Sequence, residues 1–311
     1  MVLAPIILFV YNRPWHTQQT VEALQKNELA TESELYIFAD GPKANATEEQ
    51  KEKIRQVREY IHKINGFKST TIQEAEQNIG CADSIIQGIS SVFEKYSKLI
   101  VVEDDIVTSR FFIRFMNEAL DFFENDDRIF SVSGYNYSPE VMKIPRYYKK
   151  DIYLSCRHGS TGWGTWKNRW NSIDWEVSDF EEFSNNSKLQ KAFNCGGSDR
   201  SEMLKAQMEG KIDAWDIRLD YSLFKQNKFN LRPVKSLTKH IGSDGSGMHS
   251  CIEDEKILGV NLDDEWFPQI EKIKPSKKLL KNFRRIFDPP PKPPRYSLKR
   301  FIKKVWKRLF K

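Results

Sequence analysis

Between Leu99 and Asp105 the chain reads LIVVEDD, four aliphatic residues running directly into three adjacent carboxylates. A continuous aliphatic run suits a strand buried on both faces, as in the middle of a parallel sheet covered by helices. The carboxylates then stand at the carboxyl end of a core strand. Three like charges this close repel, and burial would raise their pKa values and discharge them. Kept ionised, they require open water or a cation. On an extended segment Glu103 and Asp105 point to one side and Asp104 to the other. The competing reading is a solvated acidic loop ahead of a helix, where the dipole favours negative charge.

The rest of the body alternates around this strand. PIILFVYN (5–12) and ELYIFADG (34–41) read as strands, and a weaker one covers TTIQEAEQN (70–78). Helical patterns lie between them: 17–26, 47–65 with Thr47 as N-cap, and 82–96. A further helix begins near Phe112, with Ser109 as its expected cap. Strands and helices taking turns predict an α/β fold, a doubly wound and mostly parallel sheet flanked by helices. Ligands of such sheets sit at carboxyl strand ends, so Asp40 and Glu103–Asp105 point to one crevice. No GxGxxG follows the first strand and no GxxxxGK[ST] occurs anywhere, which disfavours dinucleotide dehydrogenases and P-loop enzymes. The charge of a phosphorylated ligand must then be met by a metal. Carboxylate oxygens are natural ligands of Mn²⁺ or Mg²⁺, which share their shell with substrate phosphates.

Net charge of +6 conceals two unlike parts. From Lys272 to Lys311 there are sixteen Lys and Arg against the single acid Asp288, and the body before them is net acidic. The basic part divides into SKKLLKNFRRIF (276–287), a DPPPKPP breaker, and RYSLKRFIKKVWKRLFK. In the last piece Leu298, Phe301, Ile302, Val305, Trp306 and Leu309 form one apolar stripe at helical spacing. Leu279, Leu280, Phe283, Ile286 and Phe287 repeat that pattern before the prolines. Two basic amphipathic helices of this kind suit an anionic membrane surface, with about 1 kcal/mol for each basic group near it. The alternative is packing on the chain's own body. Nucleic acid is disfavoured, because the apolar stripe would have no role there. The expected organisation is therefore a domain over 1–270, with halves 1–135 and 136–270, followed by a membrane-associating tail over 271–311. Four scattered cysteines without a CxxC pair argue against a zinc site and for a reducing compartment. The opening MVLAPIILFV is too short to span a bilayer and reads as a core strand.

A strand ending in YNRP, a second ending in ADG, then NIG-x-A-D-S and a strand ending in EDD occur here in that order. So do STGWGTWKNRW (160–170), AWDIRL (214–219) and RPVKSLTKHIGSDGSGMH (232–249). Over residues 5–250 this order resembles the GT-A fold glycosyltransferases. It is most similar to inverting enzymes related to the N-acetylglucosaminyltransferase that starts complex N-glycan branching, and to bacterial transferases of surface polysaccharide synthesis. The resemblance implies that Tyr11, Asn12 and Arg13 hold the nucleotide and that Asp40 reads the base, commonly uracil. It implies that Asp105 binds the metal bridging the donor diphosphate, with Glu103 and Asp104 beside the donor. Inversion is implied by the resemblance alone.

The same resemblance places the catalytic base near Asp216. An inverting transfer needs one carboxylate to take the acceptor hydroxyl's proton. Trp215 would desolvate Asp216, whereas Arg218 would make it a plain ion pair; Asp213 and Asp220 are the neighbouring competitors. Trp163, between two glycines, is the expected sugar contact, with a core position as its alternative; Trp166 and Trp170 share a helical face and suit the core. His249, in a glycine-rich segment able to close over the donor, is a candidate for the metal shell or the diphosphate. The resulting expectation is a metal-dependent inverting glycosyltransferase using a nucleotide-diphosphate sugar, UDP-linked because the resemblance implies uracil as the common base. It would act on a glycan or lipid-linked acceptor at the cytoplasmic face of a membrane, in surface polysaccharide synthesis. The rivals are a sugar-phosphate nucleotidyltransferase and a non-catalytic membrane-binding protein acting through its tail.

Overall fold

The computed structural model describes residues 2–245 and 259–288. The first half runs β1 (Ile6–Val10), α1 (Pro14–Gln25), β2 (Glu34–Ala39), α2 (Glu48–Ile61), β3 (Ser69–Glu74), α3 (Cys81–Phe93) and β4 (Lys98–Glu103). Then come β5 (Ile106–Thr108), α4 (Phe112–Phe122), β6 (Ile129–Ser133), β7 (Ile152–Ser155) and β8 (Trp163–Trp166). The helices α5 (Lys167–Trp170), α6 (Phe180–Asn185), α7 (Ser187–Phe193), α8 (Arg200–Met208) and α9 (Trp215–Lys225) follow. Last are β9 (Phe229–Pro233), β10 (Thr238–His240) and α10 (Lys277–Arg284).

Eight strands form one sheet in the order β3-β2-β1-β4-β8-β6-β9-β7. The first four are parallel and carry the expected alternation with helices. β8 runs antiparallel between β4 and β6, β9 is parallel to β6, and β7 closes the edge antiparallel to β9. The fold is thus mixed α/β with a mostly parallel sheet flanked by helices. Apolar clusters cover both faces, one around Leu8, Ile37, Val102 and Met116, the other around Ile7, Ile89, Val101 and Trp163. The second face buries Trp170 as well, and Trp166 belongs to the first. This fits the alternation of β8, whose successive side chains point to opposite faces. The two halves of the body share this sheet.

Thr47 caps α2 in a complete capping box with Gln50, as its position predicts. Ser109 does not cap α4. Phe111 is the N-cap and has no side-chain cap bond, while Ser109 Oγ accepts from the Phe111 amide at 3.4 Å. The Ser109 amide is itself committed to the Leu237 carbonyl, where a small antiparallel ribbon of β5 and β10 begins. That ribbon sets His240 opposite Ile106, immediately after the acidic strand end.

The basic carboxyl-terminal region starts differently from the expectation. Ile273 lies in the main core, and Leu279 and Phe283 of α10 are buried against Met142 and Tyr153. Ser276 caps the helix at the Leu279 amide. Arg232 lies over the Phe283 ring at 4.9 Å. Leu279 and Phe283, with Ile286 and Phe287 packed beside them, are therefore already covered by the body and are not free for a lipid surface. The stripe of 298–310 lies outside the described residues. Among the described residues no helix is long and apolar enough to cross a membrane.

Candidate active site at the junction of two cavities

Two cavities open at the carboxyl ends of the parallel strands. The first, about 500 Å³, is lined by Tyr11, Asn12, Arg13, Asp40, Glu103 and Asp104, among others. All six were expected around the donor. The second, about 570 Å³, is lined by Asp105, Arg157, His158, Trp215, Asp216 and His240, among others. Arg13, Cys81, Glu103 and Asp213 line both. The acidic strand end is therefore the partition between two ligand-sized spaces.

Part of the charge of the acidic triplet is met within the chain. Arg13, just beyond β1, turns its guanidinium inward to pair with Asp104 and, at 2.9 Å, with Asp105. His240 Nε2 also reaches Asp105, at 3.2 Å. Burial pushes the Asp105 carboxyl up, but His240 and Arg13 outweigh it and hold the group at about 2. For Asp104 burial prevails over Arg13, and its carboxyl lies above the usual range. The Glu103 carboxyl, at the end of the β1–β4 ladder, has no ion-pair or hydrogen-bond partner among the described residues. Burial, with the Asp105 and Asp104 charges, pushes it up to about 8. Arg13 and His240 are engaged by Asp104 and Asp105, and the remaining deficit of positive charge is met by the proton that Glu103 holds at neutral pH.

That deficit is the test of whether the site suits a metal. The donor chemistry fits a hard divalent cation: carboxylate oxygens, one of them lacking a counter-charge. No group of three His, Cys, Asp or Glu is gathered round a common point among the described residues. Both contacts to Asp105 fall on Oδ2, the oxygen against which a Cβ on Gly242 would also press, at 2.3 Å. Glycine at 242 is thus required by close approach of the backbone to Asp105.

Asp40 lies just past the end of β2. Its Oδ1 accepts from the amides of Gly41 and Ile79, at 2.8 and 3.1 Å, and its Oδ2 from Asn78 at 2.7 Å. These bonds orient the carboxylate in the first cavity. Burial raises the Tyr11 phenol in the same wall.

In the second cavity Asp216 occupies the first turn of α9. Burial raises its carboxyl, the Asp220 charge adds to this, and Arg157 acts in the opposite direction. Arg218 is not its ion-pair partner: it donates to the Trp175 carbonyl and lies over the Trp175 ring. Asp220, one turn on, is engaged structurally. It accepts from the His158 amide at 2.6 Å and pairs with the fully buried Arg200 at 3.2 Å. Asp213 is exposed at the junction. Burial drives His158 down to about 3, so its ring is neutral, with Nδ1 on Ser131 Oγ.

Trp163 is displaced from its expected role. It is fully buried in β8 and lines neither cavity. Its ring stacks under Trp215 with centroids 5.7 Å apart, and Trp215 is the aromatic face in the second cavity. Sequence reasoning took Trp215 as a desolvating neighbour only, and no local signal separates it from Trp163. Arg157 was also missed as a cavity residue, and His240 and His158, ranked below His249 from sequence, both line the second cavity. His249 lies outside the described residues.

No protein-family model matches the sequence, and no curated protein matches it. Solved structures do show similarity. TarS 1–349 of S. aureus matches at 12% identity and a TM-score of 0.41, over 76% of this chain and 59% of that one. The mannosyltransferase PcManGT of Pyrobaculum calidifontis, solved with GDP-Man and Mn2+, matches at 10% identity and a TM-score of 0.39. That match covers 72% of this chain and 69% of the mannosyltransferase. The chain thus spans less than two thirds of the TarS fragment.

Proposed function

We propose that this chain is a metal-dependent inverting glycosyltransferase that moves a sugar from a nucleotide-diphosphate donor, UDP-linked by preference, to a glycan or lipid-linked acceptor. The observation that carries the reading is the meeting of two cavities at Glu103, with Asp40 in the first and Asp216 in the second. A donor in the first cavity and an acceptor in the second would bring their reacting atoms together at that partition. Tyr11, Asn12 and Asp40 hold the nucleotide, and Trp215 takes the place assigned to Trp163 as the flat face for a sugar. Asp105 and Glu103 hold a Mn²⁺ or Mg²⁺ ion, which when bound offsets charge on the departing diphosphate. Asp216 takes the proton of the acceptor hydroxyl as its oxygen bonds to the anomeric carbon and the nucleoside diphosphate departs. Its raised pKa suits that task, because a base must hold the proton it receives. A sugar-phosphate nucleotidyltransferase also takes two substrates, but its nucleophile is an already ionised phosphate, which needs no general base such as Asp216. A thermal-shift panel of nucleotides and nucleotide sugars, with and without Mn²⁺, tests the donor half. One nucleotide class should stabilise the chain only with metal, by about 2.7 kcal/mol at a hundredfold excess over Kd. Uniform indifference to every nucleotide would refute it.

The membrane role is confined in this reading to the chain beyond Asp288, because α10 is docked. Peripheral attachment to the inner face of a cell membrane, in surface polysaccharide synthesis, then rests on the stripe from Leu298 to Phe310 and its basic residues. A chain ended at Asp288 should keep nucleotide-sugar turnover and lose sedimentation with anionic liposomes. Undiminished liposome binding would remove the tail as the anchor.

A further inference from the structure

The carboxyl-terminal segment does more than pack on the body: its last described aromatic enters the second cavity. Phe287 lines that cavity with Arg157, Met203 and Asp216. The Arg157 guanidinium lies over the Phe287 ring at 3.9 Å. Arg157 Nη1 is also held by both oxygens of Asp199, at 3.0 and 2.8 Å. Phe287 is itself fixed from three sides. Ser198 Oγ donates to its carbonyl at 3.1 Å, its ring meets those of Tyr137 and Phe283, and Gly197 packs against its Cβ. A Cβ at Gly197 would fall 2.8 Å from that atom, so the contact excludes any larger residue there.

We propose that Phe287 is a positioning residue: it clamps Arg157 in the wall of the second cavity, so that the segment after Ile270 forms part of the active cavity and sets the charge environment of Asp216. The proposal rests on the reading of Asp216 as the base. The groups facing Asp216 come from several elements. Asp220 lies on its own helix, Asp213 on the loop before it, Glu103 at the end of β4 and Cys81 on α3. Arg157 stands behind β7, with Arg232 of β9 and the neutral His158 further along the wall. Of these, Arg157 is the cation that shares the cavity wall with Asp216 and whose charge holds that carboxyl down against burial. Its stack on Phe287 combines a desolvated aromatic face with a fixed guanidinium plane. Without the ring, the hydrogen-bond partners left to the Arg157 guanidinium among the described residues are Asp199 and the Met203 sulfur.

The experiment follows the Asp216 carboxyl by ¹³C NMR titration in the full-length chain, assigned with Asp216→Asn, alongside the pH dependence of nucleotide-sugar turnover. Phe287→Ala and Phe287→Leu should both move the Asp216 titration upward by about one pH unit, since a nearby cation is released. The acid limb of turnover should move by the same amount. Phe287→Leu keeps apolar bulk and covers the case in which the alanine variant does not fold. Phe287→Trp, which preserves the stack, should titrate as the native chain does, and Arg157→Gln should reproduce the shift. Lowered melting temperatures with an unmoved Asp216 titration would overturn the proposal and leave Phe287 a packing residue. If the titration moves but neither the native chain nor any variant turns over a nucleotide sugar, the clamp stands and the transferase reading falls.

Discussion

Asp216→Asn is expected to lower nucleotide-sugar turnover about 10²- to 10⁴-fold, the range of a lost general base, while raising the melting temperature. The two effects have one cause. The Asp216 carboxyl is raised from its ordinary value of 3.8, first by burial and then by Asp220. Between that value and the raised one the folded state holds a proton that the unfolded chain has released. Stability is therefore greatest below the unfolded pKa and declines as pH rises through the folded pKa. At neutral pH the ionised carboxylate opposes folding, and the amide, which carries no charge, removes that opposition. Native and variant melting curves should converge at acid pH and separate as pH rises. Asp220 is raised as well, but it faces Arg200, which is wholly buried. Asp220→Ala should destabilise by about 3 kcal/mol, because it leaves an unpaired guanidinium inside the protein. Opposite signs for two carboxylates one turn apart would distinguish the reactive one from the structural one. A fall in melting temperature for Asp216→Asn, with turnover retained, would assign Asp216 to the scaffold.

The parts of the fold legible in the sequence are those in which local pattern and final burial coincide. β1, β2 and β4 are aliphatic because both faces are covered, and Thr47 caps α2 through bonds to residues three positions away. Pairing across the sheet is a different matter. Nothing in WGTW says that it enters antiparallel beside β4, and its glycines suggested an approach to ligand. Gly162 instead takes a positive φ of 69° ahead of the strand, and Gly164 lets the backbone come close to the Leu99 carbonyl. The same ambiguity affects α10. Helical periodicity reveals an apolar face without revealing what covers it, and basic flanks are compatible with lipid or with Tyr137 and Tyr153. At the site, Asp216 was placed by the resemblance alone, whereas Asp40 and Glu103–Asp105 were legible because each follows an apolar run. Their partners were not: His240 arrives through a ribbon pairing residues more than a hundred positions apart, and Arg13 through a turn beyond β1.

Asp105→Ala is expected to reduce turnover about 10³-fold, equivalent to roughly 4 kcal/mol of transition-state stabilisation. It should also abolish the metal-dependent thermal shift with nucleotide. The structural consequence is smaller than the loss of an isolated buried ion, because Arg13 retains Asp104 as its partner. His240 is the group deprived of its carboxylate, although its Nδ1 remains on Ser243 Oγ at 3.2 Å. A cost of about 1–3 kcal/mol in stability is the corresponding expectation, read from urea unfolding. The comparison with Asp216→Asn locates each role. Asp216→Asn should bind nucleotide and metal as the native chain does and fail only in transfer, whereas Asp105→Ala should fail already at the metal-dependent binding step. Asp105 and Asp216 line the same cavity, but only Asp105 is assigned to the metal, so loss of the Asp216 carboxylate should leave metal-dependent nucleotide binding intact. Full turnover by Asp105→Ala, undiminished by a chelator, would mean that Arg13, already seated between two of the three carboxylates, is sufficient as the cation of this site, and that no divalent ion takes part.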